Sequence, residues 1–348
     1  MYDSDTSSVM TALRDANPTV FSDSTIANIL ALTTRTNDTK VTFDTASPDA
    51  NGNVTVGAGV EVVFVNSSNT LQTTVTPPAN APVVIFQGKG GVLATINDAA
   101  ASIPSGNQTS VDRVIVGSAG NDRIIVSDAR NTQVVLGSGD SSVQTGRGVD
   151  TVEAGLGNST IVGGSGDYAV VRLGGTSSNY QVTSNNGHAI VTNTTTNKTT
   201  DISKIQYVQL DNGNALVFAR NSIEGQVATL YHTAFGRDAD AGGLDYWFDA
   251  ARAGATTLQI ANAFVQSTEF ASVAALSNQA FINGLYQNTF GRAGEETGVA
   301  YWVDTLAQGA TRAAVINSFA QIAVQNISGT IQTEAQIVGS TMIITGII

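Results

Sequence analysis

The 348-residue sequence predicts a multidomain protein. Its N-terminal two-thirds is expected to be mainly β, a parallel β-roll or β-solenoid closed by a β cap, and its C-terminal part an α-helical domain. Three observations predict this. A Gly-x-Gly step recurs with first glycines at Gly137, Gly146, Gly155 and Gly164, a period of nine. Upstream, short Val, Ile and Phe runs alternate with small or polar residues, the period-two signature of strands. Downstream, a second pattern of aromatic residues and glycines recurs at an offset of 55.

The nine-residue unit has a direct physical reading. Paired glycines at fixed spacing mark a turn whose backbone is left-handed or crowded. Four residues after each second glycine stands an aliphatic residue: Val143, Val152, Ile161 and Val170. Each unit is therefore a tight turn and a short strand with one apolar side chain aimed inward. One such unit buries almost nothing, so stability has to come from stacking neighbours. Two units make a coil of about 18 residues, which places turns above one another in columns. Asp122, Asp140 and Asn158 fall 18 apart on one side, and Asn131, Asp150 and Asp167 fall 19 and 17 apart on the other. Stacked carboxylates repel unless a hard cation lies between them, and all-oxygen ligation suits calcium.

These residues resemble the nonapeptide Gly-Gly-x-Gly-x-Asp-x-aliphatic-x of the RTX (hemolysin-type) calcium-binding β-roll. Gly117-Ser118-Ala119-Gly120-Asn121-Asp122-Arg123-Ile124 matches best, and Gly163-Gly164-Ser165-Gly166-Asp167 is close. The resemblance implies ions held by turn aspartates and glycine-region carbonyls: Asp122 with Asp140, Asp140 with Asn158, and Asp150 with Asp167, aided by Gly120, Gly139, Gly148, Gly157 and Gly166. Only Asp122 and Asp150 occupy the family's aspartate position. Asp140, Asn158 and Asp167 come one residue early, with Ser141, Ser159 and Tyr168 where aspartate is expected. Fewer or weaker ions than in a full roll are expected, and a metal-free solenoid held by its Val/Ile ladder is the alternative.

In chain order, residues 1–40 read as a helical segment. Ser7 or Ser8 would cap a stretch carrying Val9, Met10 and Leu13, and Ile26, Ile29, Leu30 and Leu32 form a second apolar face. Residues 41–116 form a β-rich region of unknown type, with turns at Asn51-Gly52-Asn53, Asn66-Ser67-Ser68-Asn69 and Pro77-Pro78. Gly88-Lys89-Gly90-Gly91 lacks the Ser/Thr, the spacing and the helix of a phosphate loop. The roll is assigned to 117–172. Residues 173–220 resemble the β cap found behind such repeats, which would cover open strand edges.

The tandem-repeat helical domain is assigned to 221–325. Tyr231, Phe235, Gly236, Arg237, Gly243, Tyr246, Trp247, Gly254 and Phe264 recur as Tyr286, Phe290, Gly291, Arg292, Gly298, Tyr301, Trp302, Gly309 and Phe319. Apolar residues at helical spacing surround them. Both copies resemble the phycobilisome-linker-like domain of unknown function, a resemblance that implies no catalytic residues. Arg237 and Arg292 follow a glycine at a helix end, where a guanidinium can bond the last carbonyls or a nearby carboxylate. Trp247 and Trp302 read as core anchors. Asp238 and Asp240 precede glycines in a weak echo of a calcium loop, which the second copy does not keep.

Composition narrows the function. The formal charge is −12, 13% of residues are charged, and there is no cysteine. An acidic, lysine-poor surface argues against nucleic acid and anionic membrane as partners. No run approaches the 18 apolar residues of a membrane span, so no membrane insertion is expected. The N-terminus has neither the basic start nor the apolar core of a Sec signal. With calcium repeats, this resembles substrates of the type I secretion machinery. The uncharged tail, within residues 326–348, is a candidate secretion signal, assembly strand or ordinary final strand. The two histidines, His188 and His232, belong to no zinc-protease motif, and neither a nucleophile elbow nor a cysteine nucleophile is present. No enzyme is expected.

These readings converge on a secreted, extracellular or cell-surface calcium-binding structural protein that self-assembles into a surface layer or matrix filament. Its partners would be further copies of itself and, in addition, cell-surface polysaccharide. A monomeric adhesin or binding module is the alternative, and a secreted hydrolase the third.

Overall fold

The computed structural model describes residues 2–5, 8, 11, 13, 20–33, 40–101, 110–165, 168–325, 334–338 and 341–345. The chain divides into two compact units: Met1–Leu173 with Asn179–Val182 and Ile190–Ile205, and Gly174–Ser178 with Thr183–Ala189 and Gln206–Ile348. The first is mainly β and the second carries the helices from Ser222 to Gln325.

In the first unit, successive strands from Val62 to Arg172 are dealt alternately to two sheets, within which they pair in parallel. One sheet holds Lys40–Ala46, Val62–Asn66, Val83–Gln87, Arg113–Val116, Thr132–Val135, Asp150–Glu153 and Ala169–Arg172. The other holds Thr73–Val75, Val92–Ile96, Arg123–Val126, Ser141–Gln144, Ser159–Val162 and Thr199–Ser203. The pairing register lines up aliphatic ladders. In the first sheet Val63, Val84, Ile115, Val134, Val152 and Val171 lie opposite one another in turn, all at most 1% exposed. In the second, Ala94, Ile124, Val143, Ile161 and Ile202 do the same. β-branched residues suit such stacked, fully buried strands.

Two sequence expectations change here. Residues 41–116 and 117–172 are one continuous strand array, because register follows the inward aliphatic residue and tolerates longer turns without glycine pairs. The last rung of the ladder is Val171, with Val170 opposite Thr151, because the step from Asp150 to Ala169 is one residue longer than the step before it.

In the expected N-terminal helical segment Ser8, Thr11 and Leu13 are helical, and Val9 and Met10 lie outside the described residues. Tyr2–Asp5 is a strand paired antiparallel with Lys40–Ala46. Helix Asp23–Thr33 follows, burying Ile26, Ile29 and Leu32 against Val62, Val83, Ile85, Val114, Val116 and Val135. These last residues alternate with the ladder, so this sheet is apolar on both faces and needs the helix as a cover. Asn28 donates to Gln133 (2.7 Å) and Thr25 to Glu153 (3.2 Å), fixing the helix along the strands.

The second unit contains helices Ser222–Phe235, Ala241–Arg252, Thr257–Val265, Ala271–Ala274, Asn278–Phe290, Glu296–Ala307 and Arg312–Gln325. Its glycines explain the 55-residue repeat. Gly236 (φ 68°) and Gly291 (φ 65°) are left-handed C-caps. A Cβ on Gly243 or Gly298 would meet the hydroxyl of Tyr231 or Tyr286 at 2.5 and 2.6 Å. Phe264 packs on Tyr231 and Trp247 at 4.8 and 5.3 Å, and Phe319 on Tyr286 and Trp302 at 5.0 and 5.2 Å. Both tryptophans are half-buried and pack against the core of the helical unit.

Near the C-terminus, Thr341–Thr345 pairs in parallel with Ala215–Ala219 and antiparallel with Glu334–Val338. Ile343 and Ile344 are buried there. In the tail read as a candidate assembly strand, Ile343 and Ile344 are therefore spent inside the chain's own sheet, while Ile347 and Ile348 lie outside the described residues. Among the described residues, no helix is long and apolar enough to cross a membrane.

Candidate metal centre at the turn columns

The paired glycines are required by crowding between coils, with no positive φ among the described glycines of these steps. A Cβ on Gly137 would sit 1.8 Å from the Ser118 carbonyl oxygen, and one on Gly155 1.8 Å from that of Gly137. Gly120, Gly139 and Gly157 form a second column. A Cβ on Gly139 would meet the Gly120 carbonyl oxygen at 2.1 Å, and one on Gly157 that of Gly139 at 2.1 Å. Gly148 faces the Arg130 carbonyl in the same way, at 2.5 Å. Each turn lies almost directly on the turn below it.

The candidate carboxylates fall into two classes. Asp122 and Asp150 turn inward, at 3% and 1% exposure. Asp122 Oδ2 accepts from the Ser118 N–H (2.8 Å), and its Oδ1 from the Ser118 hydroxyl (2.5 Å) and the Val92 N–H (3.0 Å). Asp150 repeats the arrangement: Oδ2 accepts from the Gly146 N–H four residues back (2.7 Å) and Oδ1 from Thr132 in the preceding coil (2.8 Å). Each closes its own turn and ties it to the coil before. Burial raises both carboxyls, Asp150 to about 7, against the pull of these donors.

Asp140 and Asn158 belong to an outward column. The Asn121 Oδ1 accepts from the Asp140 N–H (2.9 Å), Asp140 Oδ1 from the Asn158 N–H (2.7 Å), and Asn158 Oδ1 from the Thr199 N–H (3.0 Å). The column thus begins at Asn121, where the 18-residue spacing had placed Asp122. The register explains the shift: Arg123 lies opposite Ser142, a step of 19, so Asp122 meets Ser141, whose hydroxyl accepts from its N–H at 3.2 Å. The Asn158 N–H holds Asp140 below the ordinary carboxylate range. On the other side, Asn131 Oδ1 accepts from the Val149 N–H (2.8 Å), and Ala169 lies opposite Asp150. Gly166 and Asp167 lie outside the described residues.

Sequence reasoning missed a buried ion pair beside Asp150. Arg113 donates through both terminal nitrogens to Asp128, each at 2.8 Å, and to the Thr132 hydroxyl at 2.8 Å. Both side chains are at most 1% exposed. Burial pushes Asp128 up, but the Arg113 fork and the N–H groups of Arg130 and Asp98 outweigh it, and the carboxyl sits below its usual value. An arginine opening a run of valine and isoleucine was the available signal.

Calcium takes six to eight oxygens at about 2.3–2.6 Å. The inward carboxylates present both oxygens to N–H or O–H donors, a donor set that suits amides better than an ion. The outward column fits the ion better, because Asp140 is exposed and spends one oxygen on the rung. Among the described residues, no three His, Cys, Asp or Glu side chains gather around one point, so turn carbonyls would supply most of the oxygens. In the helical unit, Asp240 caps helix Ala241–Arg252, accepting from the Gly243 N–H (2.8 Å), and Asp238 lies 3.1 Å from His232 Nδ1.

Each helical repeat also exposes one tyrosine. Tyr246 is 57% and Tyr301 62% accessible, each set edge-on to the adjacent Trp247 or Trp302 at 4.8 and 5.1 Å.

Residues 219–274 and 261–323 match the family model of a domain of unknown function, DUF4214. No curated protein and no solved structure matches the chain.

Proposed function

We propose that this chain is a secreted, calcium-binding structural protein that self-assembles outside the cell into a surface layer or matrix filament. In this reading the two-sheet stack is a parallel β-roll of RTX type, exported by type I secretion. The observation that carries the reading is the outward column from Asn121 through Asp140 to Asn158, in which each turn is bonded to the next by a side-chain oxygen.

Asp140, the amide oxygens of Asn121 and Asn158, and the carbonyls of Gly139 and Gly157 are the groups that would hold calcium. When bound, the ion supplies positive charge between successive turns, and its binding free energy adds to folding free energy. The residues act through geometry: Asp140 keeps one oxygen on the rung, the glycines let the carbonyls approach, and the valine ladder keeps the coils in register. Extracellular sites of this class bind at roughly 0.1–1 mM, so the column would fill only outside the cell. Head-to-tail contacts between such stacks propagate when the rotation between copies does not close.

Light scattering with negative-stain microscopy tests this on the purified chain, titrated with calcium and then with chelator. Ordered polymers that appear with calcium and dissolve with chelator are expected. Assembly indifferent to calcium would remove the ion from the proposal.

The paired exposed tyrosines favour a second reading, a monomeric adhesin whose helical unit binds a surface polymer. Exposed aromatic rings held rigidly by a half-buried tryptophan suit contact with a sugar face or a protein. A chain that folds with calcium and stays monomeric at all concentrations would select this reading.

A further inference from the structure

The two helical repeats differ at several charged positions, among them Glu269 and Val324, and that one difference names a ligand. Arg237 follows the C-cap Gly236 and lies over Tyr231 and Phe235 at 5.4 and 5.8 Å, donating to the Asp238 carbonyl at 3.0 Å. Arg292 follows Gly291 and repeats the pose over Tyr286 and Phe290, 5.9 Å from each, donating to the Ala293 carbonyl at 3.2 Å. The rest of the Arg237 guanidinium is occupied: Nε and Nη2 grip the two oxygens of Glu269 at 2.5 and 2.9 Å. That fork holds Glu269 below its ordinary value. Fifty-five residues beyond Glu269 stands Val324. Arg292 makes no ion pair among the described residues and is exposed.

We infer that Arg292, set on the Tyr286 and Phe290 rings, is a carboxylate-binding site whose occupant is an acidic side chain of a second copy of this chain. The first repeat supplies the evidence for the ligand class, since the same guanidinium in the same pose binds a carboxylate bidentately. A neighbouring acid does not prevent this. Asp240 lies 4.0 Å from Arg237 in the repeat that holds Glu269, and Glu295 is its counterpart near Arg292. A copy of the chain can supply the group, since each molecule carries 28 acidic residues against 16 basic ones. The ring platform orients the guanidinium and lowers the entropy lost on pairing. The choice of occupant rests on the self-assembly reading above, whereas the carboxylate site does not.

The test is sedimentation velocity on the full-length chain and its R292A, R292K and R292E variants over a concentration series. Retention on immobilised polyglutamate and polygalacturonate is measured in parallel. We expect R292A to weaken self-association about tenfold, R292E to weaken it further and R292K to fall between, with thermal midpoints unchanged. Wild-type association in both R292A and R292E overturns the inference. A wild-type chain that stays monomeric overturns the choice of occupant and, separately, the self-assembly reading. In that case, retention on either polymer that R292A loses upholds the carboxylate site and identifies its source. Equal retention of both proteins overturns the site.

Discussion

Asp140 Oδ1 accepts a 2.7 Å hydrogen bond from the backbone N–H of Asn158, eighteen residues further along and one coil higher. The rung needs the oxygen but not the charge, whereas calcium needs both. D140N should therefore keep the metal-free thermal midpoint close to wild type and lose most of any calcium-dependent gain. D140A should lose the rung as well. Calorimetry with and without calcium separates the two, and an unchanged calcium response in D140N would move the ion elsewhere.

The buried Arg113–Asp128 pair predicts a strong asymmetry. R113A leaves Asp128 charged and unpaired in the interior and should cost about 3–5 kcal/mol. Replacing both residues, as in R113M with D128L, should cost clearly less than the sum of the single changes. Denaturant unfolding of the four proteins gives the coupling energy.

Asp150 gives a pH dependence with a definite sign. Burial raises its carboxyl from 3.8 to about 7 in the folded chain. Between about pH 4 and 7 the folded state therefore binds the proton that the unfolded chain releases, and this group's contribution to stability falls as pH rises. Asp122, also raised, acts in the same direction. The lowered groups Asp128 and Asp140 lose their contribution only on further acidification. The wild-type thermal midpoint should rise relative to that of D150N on going from pH 7 to pH 5. A constant difference across this window would contradict the burial of an ionisable Asp150.

Glycine substitutions distinguish crowding from backbone freedom. G155A places a Cβ 1.8 Å from the Gly137 carbonyl oxygen and should destabilise by about 2–3 kcal/mol as the coils are pushed apart. Gly284 lies inside helix Asn278–Phe290 with open space around it, so G284A should stabilise by about 0.5–1 kcal/mol. Urea midpoints decide both.

The tyrosine and tryptophan of each repeat should separate binding from folding. Y301A removes a 62% exposed ring and should leave the midpoint within about 0.5 kcal/mol of wild type. W302A removes the ring packed at 5.2 Å on Phe319 and should cost about 3 kcal/mol or more. Glycan-array or cell-surface binding lost in Y301A alone would favour the adhesin reading.

Local rules were enough to read several features directly from the sequence. The nine-residue glycine period marks turns that lie on one another, because no side chain fits between them. The 55-residue period marks two helical repeats, because C-caps at Gly236 and Gly291 and tyrosine-facing glycines at Gly243 and Gly298 are each imposed by neighbours within one repeat. What the tertiary structure alone decided depends on register. One extra residue between Arg123 and Ser142 puts Asn121 in the outward column and turns Asp122 inward, and another between Asp150 and Ala169 makes Val171 the inward residue. Spacing cannot reveal such steps, since a shift of one residue sends a strand side chain to the opposite face. Long-range partners were equally hidden. That residues 41–116 continue the stack, that helix Asp23–Thr33 covers its outer face, that Arg113 meets Asp128 and that Thr341–Thr345 pairs with Ala215–Ala219 are contacts between distant segments. They are chosen by which apolar faces and unpaired strand edges remain once the local elements have formed.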